Sequence, residues 1–188
     1  MSDLRYSFSD SALMGWLLAG CGLLAGLVTS VAWLAIRLVE QLGWDPGWVR
    51  LPAFGLSTGL LFCCSLQLAQ AQGAVNREKQ QLFRSCLSRA LGCSAGFMTM
   101  QAVGLWCLIQ LQQSEHVATG SLGLVIVFTA LHALHVSVAV LCLLFVTLQA
   151  RRNRYDHEYS WGVTFCGWFW HALGAVWAAI LVAMLIAT

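Results

Sequence analysis

The sequence predicts an all-α integral membrane protein: a single bundle of five transmembrane helices covering residues 1–188. Three observations carry this. The chain is 59% hydrophobic and only 10% charged, whereas soluble domains carry roughly 25% charged residues. Its charges are confined to short patches, leaving apolar runs long enough to cross a hydrocarbon core of about 30 Å. Within such a core the backbone must satisfy its own polar groups, which makes each run a helix.

The predicted spans are about 12–39, 49–72, 86–112, 120–150 and 160–187. The first holds Gly22 and Gly26, and the same four-residue spacing recurs at Gly55/Gly59 and Gly92/Gly96. Small residues so spaced let helix backbones approach closely, and three pairs on successive helices predict a tightly packed bundle. Arg37 and Glu40 lie one turn apart and are expected to pair near the interface. The connector Q-L-G-W-D-P-G-W (Gln41–Trp48) breaks the helix at Asp45-Pro46-Gly47 and offers Trp44 and Trp48 to the headgroup belt. Pro52 is expected in the first turn of the second span, where its missing N–H costs little. That span ends in a polar stripe, Ser65, Gln67, Gln70 and Gln72. The stretch N-R-E-K-Q-Q-L-F-R-S-C-L-S-R follows and reads as a charged loop.

Gln101 lies near the middle of the third span, with Ser94 and Thr99 close by, and at that depth it calls for an interhelical hydrogen bond. The fourth span closes on R-R-N-R-Y-D-H-E-Y, a polar loop in which His157 is expected to face solvent. Lys and Arg fall unevenly between the two sides. Arg5, Arg77, Lys79, Arg84, Arg89, Arg151, Arg152 and Arg154 share one side, against Arg37 and Arg50 on the other. The positive-inside rule then predicts a cytoplasmic N-terminus and a periplasmic C-terminus. No basic face exists for nucleic acid, and no cleavable signal precedes the first span. The eight cysteines fall mostly within apolar runs without C-x-x-C spacing, so they read as small apolar helix residues.

The chemistry-bearing residues are three histidines: His132 and His135 in T-A-L-H-A-L-H-V (Thr129–Val136), and His171 in W-F-W-H-A-L-G-A-V-W (Trp168–Trp177). Titratable rings in an apolar span need partners inside the protein. Spacing i,i+3 puts His132 and His135 on one helix face, and a neighbouring helix could bring His171 alongside. A metal or bis-histidine haem site, hydrogen-bonded structural histidines and a proton relay all remain open on this chemistry. No carboxylate occupies the centre of a span, as an ion-coupled transporter would require. No nucleophile–base–acid grouping or phosphate loop is present either.

These two runs resemble signatures of subunit III of haem-copper terminal oxidases: T-x-x-H-x-x-H-V on one helix and W-H-x-x-x-x-V-W on the last. Ser57, Thr58, Ala69, Phe97 and Gln101 stand where that family has similar residues, and five helices match its short bacterial form. Gly104 stands where the family usually has a glutamate, and Gly174 where it usually has an aspartate. The resemblance implies a non-catalytic subunit of a bacterial inner-membrane cytochrome c oxidase, in a hetero-oligomeric complex that reduces oxygen to water. Such a subunit packs against subunit I (and II), binds phospholipid and supports proton uptake and durability. It implies no cofactor in this chain, with haem and copper in the partner subunits. His132, His135, His171, Gln101, Thr129, Trp168, Trp170 and Trp177 would make interhelical polar and lipid contacts. An accessory subunit of a nitric oxide reductase or quinol oxidase is the nearest alternative. A bis-histidine haem cytochrome is the alternative from another class.

Overall fold

The computed structural model describes residues 4–114, 120–151 and 161–187. They form α1 (Leu4–Gln41), α2 (Pro46–Asn76), α3 (Gln80–Ser114), α4 (Gly120–Arg151) and α5 (Trp161–Ala187), with no strand among the described residues. Among the described residues four stretches are long and apolar enough to cross a membrane: Leu51–Asn76, Gln80–Gln110, Ile126–Arg151 and Trp161–Ala183. The chain is a multi-pass membrane protein. The charged loop containing Arg152, Arg154 and His157 lies outside the described residues.

The helix ends follow local backbone chemistry. At the end of α1, Gly43 takes a left-handed φ of 63°. Its N–H bonds Glu40 O at 3.2 Å and the Trp44 N–H bonds Val39 O at 3.2 Å, the paired bonds of a Schellman cap. Asp45 then accepts from the Trp48 and Val49 N–H groups at 3.0 and 3.2 Å, so α2 begins at Pro46, three residues before the expected start. Pro46 therefore takes the favoured first position. Pro52 falls in the second turn of α2, where the Trp48 carbonyl loses its helical donor.

The stretch expected as a charged loop is mostly helix. Only 77–79 separate α2 from α3, because Phe83, Cys86, Leu87 and Ala90 recur at i, i+3, i+4 and i+7 and are all fully buried. The turn is a second Schellman pair: Glu78 N–H to Val75 O at 3.1 Å and Lys79 N–H to Ala74 O at 3.0 Å. Here the left-handed position is held by Glu78, at φ 55°.

The packing is a ring of four helices. α2 lies against α3 in the most extensive contact, α3 against α4, α4 against α5, and α5 closes back on α2. α1 lies outside the ring on α3 and α4. The core runs along the ring axis, through Phe83, Leu87, Phe97, Val140, Trp170 and Trp177. Outward, the helices are equally apolar: Leu27 and Leu34 on α1, Phe62 on α2, Phe128 and Leu134 on α4, and Trp161 and Trp168 on α5 are exposed. Lipid tails are as apolar as leucine, so packing and hydrogen bonds hold such a bundle rather than water exclusion.

The small-residue pairs behave differently from expectation. Of Gly22, Gly26, Gly55, Gly59, Gly92 and Gly96, only Gly96 would place a Cβ within 4 Å of a neighbour, Leu60 Cδ1 at 3.2 Å. The others face outward or into looser contact, since four-residue spacing fixes a stripe but not which way it faces. Arg37 and Glu40 pair as expected, at 3.3 Å, and the guanidinium also stacks 5.4 Å from the Trp33 ring centroid. Both side chains are largely exposed, so the pair adds little stability. Cys64, Cys86, Cys107 and Cys166 form no disulfide and are buried as small apolar side chains.

Candidate functional site

The site begins with the two histidine-bearing runs, which the ring of helices brings face to face. His132 of α4 is 3% exposed, and its ring stacks on the indole of Trp177 from α5, with centroids 5.5 Å apart and planes 20° apart. Phe97 of α3 meets Trp177 edge-on at 6.1 Å and His132 edge-on at 6.4 Å. Phe54 of α2 closes the group at 5.6 Å from Trp177. Each helix of the ring contributes one ring to this cluster. Aromatic pairs at 4.5–7 Å add about 0.5–1.5 kcal/mol each beyond burial.

Polar atoms in this cluster are anchored by short local bonds. Trp177 Nε1–H donates to Thr58 Oγ1 at 3.1 Å, and the Thr58 hydroxyl donates onward to Phe54 O at 2.7 Å. Ser57, fully buried, donates to the same carbonyl at 2.9 Å. The indole that stacks on His132 is thereby fixed to α2. By contrast, neither ring nitrogen of His132 has a hydrogen-bond partner among the described residues, and the same holds for both amide atoms of Gln101. Gln101, 5% exposed, lies one turn beyond Phe97 on α3, and Thr129, 2% exposed, one turn before His132 on α4.

The other two histidines occupy different places. An i,i+3 step turns a helix through about 300°, leaving two positions about 60° apart, so His132 and His135 straddle the edge of the buried stripe instead of sharing one face. His135 is exposed, and its Nδ1–H donates to Leu131 O at 2.7 Å. His171 is also exposed, at the seam of α5 with α2, with Nδ1 at 2.8 Å from Ser65 Oγ. The three imidazoles thus lie in three environments. Among the described residues no three His, Cys, Asp or Glu side chains converge on one point.

The tryptophans divide in the same way. Trp170 and Trp177 are 1% exposed, whereas Trp168 is 75% exposed on the outer face of α5. Trp170 Nε1 has no partner among the described residues. A third α2–α5 tie joins Gln72 Nε2–H to Thr164 Oγ1 at 3.2 Å.

Sequence reasoning did not find Phe54. Its ring fills the hollow at Gly104: a Cβ there would lie 2.6 Å from Phe54 Cε1 and 2.8 Å from Cζ. The glycine itself, in mid-helix and without a turn to explain it, was the available signal. The Ser65–His171 tie also went unseen, because Ser65 reads as part of a terminal polar stripe. At Gly174 a Cβ would meet Leu61 Cδ2 at an ordinary 3.6 Å.

What the arrangement does is mechanical. It locks four helices together through one aromatic cluster and two α2–α5 hydrogen bonds besides the Trp177 anchor. No protein-family model matches this chain, and no curated protein matches it either.

Proposed function

We propose that this chain is a non-catalytic subunit III of a bacterial aerobic haem-copper terminal oxidase, embedded in the inner membrane beside subunit I. One observation carries the reading. The two runs that resemble the family's signatures meet in space, with His132 of T-A-L-H-A-L-H-V stacked on Trp177 of W-F-W-H-A-L-G-A-V-W. Residues separated by 45 positions thus build one contact between α4 and α5. In this reading α1 is the first of five crossings, the N-terminus is cytoplasmic and the C-terminus periplasmic, as the Lys and Arg distribution requires.

The ring of helices offers a packed aromatic cluster inside and apolar faces outside. Its work is to support the partner that holds haem and copper, to bind phospholipid along its apolar exterior, and to aid proton uptake and durability of that partner. Gly104 stands where the family usually has a glutamate, and Phe54 occupies the space that a side chain there would take. Cytochrome c is the electron donor proposed for the complex.

Purification of the full chain from its own membranes in mild detergent, followed by mass spectrometry and an optical spectrum, tests this. The expected result is co-purification with a large haem-bearing membrane protein, the haem spectrum leaving with that protein when the chain is stripped away. A Soret band that stays with the single chain, or a chain isolated without any haem partner, refutes the proposal.

A further inference from the structure

We infer that the outer face of α5, between its seams with α2 and α4, docks a transmembrane helix of a different protein that carries a hydrogen-bond donor at mid-bilayer depth. This rests on the reading of the chain as a membrane-complex subunit. The argument comes from two exposed imidazoles that lipid cannot satisfy.

His135 donates its Nδ1–H to Leu131 O at 2.7 Å. In the neutral ring Nε2 is then a bare acceptor, and nothing among the described residues meets it. His171 uses Nδ1 on Ser65 Oγ at 2.8 Å, which leaves its Nε2 equally without a partner among the described residues. Both side chains are exposed. Their depth follows from the packing of α4 and α5. Cys142 and Cys166 line one groove between these helices, and His132 stacks on Trp177, so the two helices run antiparallel with Cys142 level with Cys166. His135 lies two turns before Cys142 on the same stripe, which brings it level with Leu173. His171 is two residues away along α5, on the opposite flank. The span Trp161–Ala183 has its middle at Ala172, so both rings sit near the centre of the bilayer.

At that depth acyl chains offer no hydrogen-bond partner and water is absent. A polar group facing lipid there is costly, and intramembrane ionisable residues ordinarily face protein or a cavity. Between the two rings α5 presents Ala172, Ala175 and Ala179, all exposed. Small residues at this spacing let a second backbone approach closely. The face thus carries an alanine track that begins one turn beyond the exposed Trp168 and runs beside Val176, with one acceptor on one side and a second imidazole nitrogen on the other. That pattern matches a helix bearing a Ser, Thr, Tyr, Trp, Asn or Gln donor, and lipid does not match it. α1 leaves this face open, since it packs on α3 and α4.

A photo-cross-linking residue at Ala175 of the full chain, in its own membranes, tests the surface. The expected adduct joins Ala175 to one transmembrane segment of a different polypeptide. In the purified complex the double variant His135→Leu/His171→Leu should raise the concentration of half-dissociation about sevenfold, the equivalent of two average interhelical hydrogen bonds in a membrane. Ser65 loses its ring partner in that variant but can donate to its own helix, so folding is retained. Ala175→Trp, with both histidines intact, should block the adduct formed from a probe at Ala172. Adducts with phospholipid alone, adducts with a second copy of this chain, or an unchanged half-dissociation would each overturn the inference. The oxidase reading fails separately. A cross-linked partner without haem removes that reading and leaves the docking face standing, whereas a co-purifying haem protein with only lipid adducts at Ala175 does the reverse.

Discussion

Replacing Gly104 with alanine sets two effects against each other, and the structure decides between them. Helix propensity alone favours Gly104→Ala by about 1 kcal/mol. The added methyl, however, would lie 2.6, 2.8 and 3.1 Å from three ring atoms of Phe54, where carbon contacts settle near 3.5–4.0 Å. The ring would have to retreat by roughly 1 Å. Trp177 blocks that retreat, with its ring 5.6 Å away and held to Thr58, and Phe54 itself is 5% exposed. Overpacking in so confined a place costs about 1–3 kcal/mol, so the net expectation is a loss of about 1 kcal/mol. SDS titration of the purified chain, read by loss of tertiary packing, measures it. Phe54→Leu should remove the conflict, and in that background Gly104→Ala should become neutral or stabilising, giving a coupling of about 1 kcal/mol or more. If Gly104→Ala stabilises the wild-type chain, or if the two changes simply add, the packing account of Gly104 is wrong.

Three further outcomes follow from the same cluster and its helix ends. His132→Phe should keep the stack on Trp177 while removing two buried nitrogens without partners, leaving stability unchanged or raised by up to about 1 kcal/mol, whereas His132→Ala should cost about 2–4 kcal/mol as a cavity; equal losses in both would show that the nitrogens are satisfied. Thr58→Val should strand the Trp177 N–H in the core at about 1–3 kcal/mol, and Thr58→Ser should restore most of it, both read by the same titration. Glu78→Gly should stabilise the α2–α3 turn by about 1 kcal/mol, because the left-handed φ of 55° suits glycine; a lower midpoint would mean that Glu78 side-chain contacts outweigh the backbone strain.

The third to fifth helix boundaries show which parts of the fold were legible. α4 and α5 begin and end within one residue of the expected spans, since each is a long apolar run closed by charge or by a turn. The start of α3 was misread by six residues, because Arg84 and Arg89 drew attention from the buried stripe of Phe83, Cys86, Leu87 and Ala90. Of the site residues, His132, Gln101, Thr129, Trp170 and Trp177 are interior and Trp168 faces out. His132 and His135, expected on one face, differ in burial. The edge of the buried stripe falls in the roughly 60° between these two positions, leaving His132 buried and His135 exposed, and nothing in the local sequence says where that edge runs.

Sequence by itself determined the solvent and the secondary structure. With a tenth of its residues charged and lipid-length apolar runs between them, the chain has one way to satisfy its backbone, and that way is helix. Tertiary structure decided which side of each helix meets which neighbour. Beyond the first turns of α3 the helices are apolar nearly all round, so no amphipathic stripe marks their inward face in advance. Only the fit of particular rings, Phe54 into the space at Gly104 and His132 onto Trp177, selects the register. The same selection turns His135 and His171 outward, to where a partner helix can reach them.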